Sequence, residues 1–225
     1  MIMHLAEHLE IPLRDRTGLL LAAGYAPAYP ERPLESVDMA PVRQALERFL
    51  RAHEPYPALV IDRHHNLLAG NDALTTLTAG VAPELLEAPA NALRVALHPE
   101  GMARRTVNLA EWSAHVLQRL RREVRMTADP QLQALYDELK GYPGVEHEPP
   151  GEAPASSEIV VPLRLRDQDG SELAFFGTIT TFGTPADVTL AEVAVEAFYP
   201  ANARTAMRLL GDIGAVMAPG ASSDA

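Results

Sequence analysis

The spacing of apolar residues divides the chain into segments of different character. Residues 2 to 24 set short apolar patches between charges, and Leu13, Leu19, Leu20 and Leu21 give a helix-like stripe that Gly24 is placed to cap. Three prolines within Tyr25–Glu35 then predict an extended linker. Residues 41 to 53 predict an amphipathic helix with proline at its first position and Val42, Ala45, Leu46, Phe49 and Leu50 on the buried face. Two apolar runs, Ala58–Ile61 and Leu67–Ala69, flank the polar turn Asp62–Asn66 and read as a β-hairpin. A short helix is expected from about Asp72 to Thr78.

The strongest helix starts at Asn108. Asn108 as N-cap with Glu111 three positions on resembles a capping box. Leu109, Trp112, Val116, Leu120 and Val124 recur at spacings of three and four and so share one face. A second helix is expected from Asp129–Pro130 to about Lys140, with Leu132, Leu135 and Leu139 inward. Gly141–Ser157 is rich in proline, glycine and glutamate and reads as a mobile loop. Beyond it the period falls to two. Ile159, Val161, Leu163 and Leu165 alternate with Arg164 and Arg166, Asp167–Glu172 is a hairpin turn, and Leu173–Phe182 is β-rich. Ala191–Phe198 alternates again, with Glu192 and Glu196 expected outward. A hairpin, helices and three antiparallel strands, in that order, predict an α/β (α+β) fold of PAS-like kind, an antiparallel sheet covered by helices.

Charge and composition narrow the function. The 30 acidic residues outnumber the 19 lysines and arginines, a formal charge of −11, which argues against a large nucleic-acid surface on this polypeptide. The absence of cysteine excludes disulfides, thiolate zinc sites and a cysteine nucleophile. No apolar run approaches the roughly 20 residues that span a bilayer, and the start lacks the pattern of a signal peptide. A cytoplasmic location is therefore expected.

Four stretches, Glu54–Asn71, His98–Trp112, Val161–Arg166 and Phe182–Asn202, together resemble the C-terminal domain of MmyB-like helix-turn-helix regulators of the xenobiotic-response-element type. The resemblance spans roughly Leu9 to Leu210. It implies a PAS-like domain whose internal apolar cavity holds a fatty-acid-like ligand and controls an N-terminal DNA-binding domain. Leu9–Pro27 is similar to the last helix of such a head, and the groove-reading helix is expected upstream of it. Asn202 and Arg204 depart from the more usual acidic pattern at the end of the last stretch. The expected organisation is a head remnant over residues 1–27, a linker over 28–37, the PAS-like domain over 38–211 and a flexible tail over 212–225. DNA contact is expected only through the missing head. A homodimer is expected because such regulators read paired half-sites.

Candidate chemistry is sparse. His4 and His8 have the spacing of a metal pair, but no third ligand is evident and a solvated helix face is the reading preferred; no metal site is expected. His64 and His65 read as turn residues, and Asp167 and Asp169 as turn-forming aspartates beside Gly170. There is no G-x-S-x-G elbow, glycine-rich phosphate loop or H-E-x-x-H, so no enzyme activity and no catalytic residue is expected. Arg119, Arg121, Arg122 and Arg125 form a basic concentration on the polar side of the Asn108 helix. They are read as a solvated face, or as a contact with the acidic remainder of the chain, a partner subunit or a phosphate backbone near the DNA-binding head. Trp112, Val116 and Leu120 facing Leu173, Phe175 and Ile179 are the candidate lining of an acyl tunnel, with ordinary core packing as the alternative for each. His98, Arg104 and Arg105 are the candidates for a carboxylate head group. No cofactor is expected beyond a possible bound fatty acid. The competing reading is a dimerisation or protein-interaction module with a filled core, and a weaker third is an acyl hydrolase.

Overall fold

The structure is a computed structural model that describes residues 1–147 and 161–216. Five antiparallel strands form one sheet in the order β2-β1-β5-β4-β3, with β1 Ala58–Ile61, β2 Leu67–Gly70, β3 Leu163–Arg166, β4 Glu172–Thr181 and β5 Ala194–Pro200. β1 with β2 and β3 with β4 are hairpins, and β5 lies between them, pairing Leu59 with Glu196 and Gly177 with Phe198. Three helices precede the sheet: α1 Ile2–His8, α2 Leu13–Ala22 and α3 Ala40–His53. Between β2 and β3 the chain builds α4 Leu74–Thr78, α5 Ala92–Leu97, α6 Leu109–Thr127 and α7 Pro130–Leu139. A short α8, Val188–Glu192, leads into β5, and α9, Ala203–Val216, follows it. This strand order with helices inserted after β2 is the PAS-like arrangement that the alternation predicts.

The sheet buries both faces. Leu59, Leu163, Leu173, Phe175 and Phe198 share one core with Val116, Leu117 and Leu120 of α6 and with Leu132, Leu135 and Leu139 of α7. Ala58, Val60, Val195 and Ala197 share the other with Leu46 and Leu50 of α3. A strand covered on both sides needs no polar alternation, which is why β1 is an unbroken apolar run with all four residues buried.

Local signals set the helix ends. Gly24, at φ +81°, closes α2 in a Schellman motif: Tyr25 N–H donates to Leu20 O at 2.8 Å and Gly24 N–H to Leu21 O at 3.0 Å. Asp129 caps α7 by accepting from the Gln131 and Leu132 N–H groups. Asn202, at the departure from the family pattern, accepts from Thr205 N–H at 2.9 Å and so starts α9.

Several expectations are corrected. Ala45 is exposed, because the face of α3 that meets the sheet is narrow. Asn108 precedes α6 without a side-chain cap. Its carboxamide instead donates to Glu111 and to Pro162 O, and accepts from Arg164 N–H, so it joins the helix to β3. The buried arc of α6 is wider than a five-residue stripe and includes Ser113, Ala114 and Leu117, with Leu109, Trp112 and Val124 half-buried. Glu192 ends α8, so the strand begins only at Ala194. In the expected loop, Val145 is buried in the core, which shows that its first residues are packed. Its remainder, from residue 148, and Ile159 lie outside the described residues, as do residues 217–225 of the expected tail.

Gly101 leads into a 3-10 turn, Met102–Arg105, where a Cβ would sit 2.2 Å from Val95 O and 3.1 Å from His98 O. Both obstacles are backbone and cannot swing aside. Gly101→Ala is expected to lower unfolding free energy by about 1–3 kcal/mol, as overpacking does, measured by urea denaturation.

Candidate functional site

A cavity of about 80 Å³ lies where α4, α5 and α6 meet the inner face of the sheet. Leu59, Leu67, Leu163 and Phe198 line it from the strands, Leu74 and Leu77 from α4, and Leu93, Val95 and Ala96 from α5. Trp112, Val116 and Arg119, spaced by four and three, present one face of α6 to it. Leu67 and Leu86 are 37% and 42% exposed and mark its mouth.

Three polar side chains interrupt this lining. Thr78 is satisfied by donating its hydroxyl to Leu74 O at 3.1 Å. The other two are an ion pair: Arg119 Nη1 donates to Glu196 Oε1 at 3.2 Å. The chain of charges continues along α6. Arg119 Nε is 3.9 Å from Glu123 Oε1, and Glu123 Oε2 is 2.8 Å from Nε2 of the buried His65. Burial pushes the Glu123 carboxyl up, but His65, Arg119 and Arg122 outweigh it and hold it below the usual carboxylate range. Burial lowers the nearby His115, and Arg119 and Arg122 add to that shift.

A second cluster gathers around the β1–β2 turn. Asp62 Oδ1 accepts from the His64 and Asn66 N–H groups, each at 2.8 Å, and fixes the turn. His64 Nε2 then lies 3.1 Å from Asp129 Oδ2, to which Arg63 also donates. Arg63 reaches Glu192 at 3.3 Å, and Glu192 accepts from Arg14 of α2 at 2.6 and 2.9 Å. One chain of ion pairs therefore joins α2, α8, the turn and the start of α7. His64 and His65 are turn residues, and each is also anchored to a carboxylate.

The residues expected at the site are dispersed. Trp112 and Val116 line the cavity. Leu120, Leu173 and Phe175 are fully buried in the adjoining core and do not reach it. Ile179 is exposed on β4, opposite Glu196 in register. His98 packs edge-on against Tyr142, 5.1 Å between centroids, and its Nδ1 accepts from Glu100 N–H. Arg104 donates to Gly80 O at 2.6 Å. Arg105 donates to the carbonyls of Thr76, Leu77 and Ala79 at the end of α4 and to Arg166 O. All three lie away from the cavity because local carbonyls and rings satisfy them.

Glu196, expected outward, instead faces the inner core, and Arg119 meets the acidic remainder of the chain at Glu196 and Glu123 rather than forming a purely solvated face. Their positions were nonetheless encoded: Arg119 is seven residues after Trp112, two helical turns on, and Glu196 shares the parity of Phe198. Of the other arginines, Arg121, Arg122 and Arg125 are exposed as expected. His4 and His8 lie exposed on α1 with rings 4.2 Å apart, and no metal-holding group of three or more ligands occurs among the described residues. Asp169 accepts from Ser171 N–H within its turn, and Asp167 pairs with Arg208.

Burial pushes the Asp129 carboxyl up, yet His64, Arg63 and two backbone N–H groups outweigh it and hold it at about 2. A folded-state value below the unfolded 3.8 contributes stability above about pH 4, which is lost as pH falls toward 2. Asp129→Asn, which keeps the capping oxygen, is expected to lower stability at neutral pH and to flatten its decline below about pH 4. Urea unfolding across that range checks both.

A five-stranded antiparallel sheet with its helical cover inserted after the first hairpin defines this chain as a PAS-like domain. A sequence profile of the MmyB-like transcription regulator ligand binding domain matches residues 42–210, and the chain belongs to that family. Direct comparison with curated protein sequences gives no match. Solved structures with some likeness include a variant of RsLOV at 10% identity and TM-score 0.33, covering 77% of this chain and 79% of that one. Another is an RNA-binding Light-Oxygen-Voltage receptor at 15% and 0.35, covering 90% of this chain and 48% of that one. A third is the PAS domain of an HTR-like protein from Haloarcula marismortui at 9% and 0.27, covering 71% and 94%. Among the described residues no helix is long and apolar enough to cross a membrane.

Proposed function

We propose that this domain senses a small apolar molecule held between α6 and the sheet, and that occupancy controls DNA binding by an N-terminal helix-turn-helix head. The observation that carries the reading is the cavity itself, apolar on every side except at Thr78 and the Arg119–Glu196 pair. An acyl chain, as in a fatty acid, is the ligand body that suits such walls, each buried methylene contributing about 0.8 kcal/mol. The volume of about 80 Å³ is below the ~300–1,000 Å³ common for preformed sites, so a long chain enters by parting the walls or by extending past Leu67 and Leu86.

The route outward is supported by chain connectivity. Glu196 lines the cavity, and Glu192, four residues earlier, accepts from both Arg14 and Arg63. A shift of α8 and β5 on binding is thus felt at α2. This reading requires no catalytic step. The regulator acts as a cytoplasmic homodimer that reads paired half-sites. The small cavity volume favours one other reading, a filled module that only mediates protein contacts.

Solvent extraction of the purified, denatured protein followed by mass spectrometry separates the two. A stoichiometric apolar molecule, with occupancy reduced in Trp112→Ala, is the expected result. An empty extract, together with no uptake of added fatty acid, supports the filled module instead.

A further inference from the structure

We propose that His64, in the β1–β2 turn, works as a proton-operated switch. On gaining a proton its ring passes from accepting a hydrogen bond of Arg63 to donating one to Asp129, and the tie between α8 and α2 loosens. The cavity plays no part in this, and the Glu192–Arg14 link is the one feature shared with the function proposed above.

One atom of His64 is contested. Nε2 lies 3.1 Å from Nε of Arg63, which can only donate, and 3.1 Å from Oδ2 of Asp129, which as a carboxylate can only accept. Neutral His64 with its proton on Nδ1 accepts from Arg63 and leaves Asp129 to the Arg63 guanidinium. Protonated His64 has no lone pair to offer Arg63 and donates to Asp129 instead. The side chain keeps 25% exposure, so the proton comes straight from water. In the neighbouring His65, Nε2 meets Glu123, and Nδ1 is buried with no partner among the described residues, so that ring offers no such exchange.

The charges around the ring accommodate an added positive one. Glu31, Asp62, Asp129 and Glu192 bring carboxylates to the open hollow in which His64 sits, against the guanidiniums of Arg14 and Arg63. On α6, Glu123 pairs with His65 and Arg119 rather than with His64. The cation nearest the ring, Arg63, is the one that must leave. Its Nη1 already reaches Oε1 of Glu192 at 3.3 Å, the same oxygen to which Arg14 Nε donates at 2.6 Å. Driven off Asp129, Arg63 competes with Arg14 for that oxygen. Arg14 has a second carboxylate within reach, Glu31, at 2.5 and 3.3 Å. One proton therefore shifts partners along the row, His64 to Asp129, Arg63 to Glu192 and Arg14 to Glu31, and α2 gives up its hold on α8.

The chain has no cysteine, so labels attach only where one is introduced. Spin labels at Leu21→Cys on α2 and Ala134→Cys on α7, both exposed positions, report the distance between α2 and the body of the full chain. NMR follows the His64 ring and the Arg63 Nε–Hε signal in the unlabelled protein. Between about pH 8 and about pH 5, where histidine ordinarily changes charge, the distance distribution is expected to shift. The Arg63 signal is expected to move with the same midpoint as the His64 ring. His64→Gln stays neutral and keeps an oxygen for Arg63, so it is expected to abolish both responses. An Arg63 signal that stays fixed while His64 titrates overturns the switch, and so does a ring that gains no proton in this range. A distance that does not change with pH in the parent sequence overturns the transmission to α2. A distance shift that survives in a folded His64→Gln, checked by its melt, assigns the response to other groups and overturns the proposal as well.

Discussion

The N-terminus of α6 is stitched to β3 by three hydrogen bonds: Val107 N–H to Arg164 O at 2.7 Å, Asn108 Nδ2 to Pro162 O at 2.8 Å, and Arg164 N–H to Asn108 Oδ1 at 3.1 Å. Toward its other end, Glu123 is bonded to the buried His65, which itself holds a left-handed conformation at φ +63°. A helix pinned at both ends over a sheet has a fixed height above it. The side chains between the pins then determine whether the gap is filled. From Leu117 and Leu120 toward α7 it is filled, and beside Trp112, Val116 and Arg119 it is not. The cavity follows from where the pins lie as much as from which residues line it.

Burying an ion pair in such a gap costs stability, since taking both charges from water commonly exceeds what their attraction returns. The pair is tolerable here because it is not isolated. Arg119 is shared between Glu196 and Glu123, and Glu123 is in turn held by His65. Each charge has a partner, and the side chains of Arg119 and Glu196 keep some exposure, so the desolvation is incomplete. The second chain, from Arg14 through Glu192 and Arg63 to Asp129, is wetter at Arg14 and Arg63, where its links are weak in the manner of surface pairs, and ends on the buried Asp129. Its significance lies in connectivity. His64 and His65 are adjacent in the turn, and one is bonded to each network.

The fold was legible because its signals are local and redundant. The ALVI run, the turn at Asp62–Asn66, proline after Asp129 and glycine after α2 each act within a few residues, and each did what its chemistry predicts. What could not be read depends on partners distant in sequence. Asn108 looks like a cap until β3 offers it a carbonyl and an N–H group, and Arg104 and Arg105 look like anion binders until the chain around α4 presents bare carbonyls. Glu196 illustrates the limit best. Parity placed it beside Phe198 on the inner face, while its charge argued for solvent, and the choice turned on Arg119, 77 residues away. Charge outvotes parity only where no opposite charge is waiting.

A ligand in this cavity can act on the N-terminal helices only through a difference in affinity between two arrangements of the domain. Moving an equilibrium from 1:99 to 99:1 takes about 5.5 kcal/mol of such difference. At about 0.8 kcal/mol per methylene, roughly seven methylenes buried in one arrangement and exposed in the other supply it. A cavity of about 80 Å³ cannot enclose seven methylenes as it stands. Under the proposed function, the walls must therefore part around an acyl chain, and that parting is what would supply the conformational difference. The segment that joins the cavity to the N-terminal helices is β5 with α8. It carries Glu196 on the cavity side, and at Glu192 it holds the links to Arg14 and Arg63. Under the proposed function, displacing Glu196 from Arg119 and loosening Glu192 from Arg14 would be two ends of one movement, five residues long.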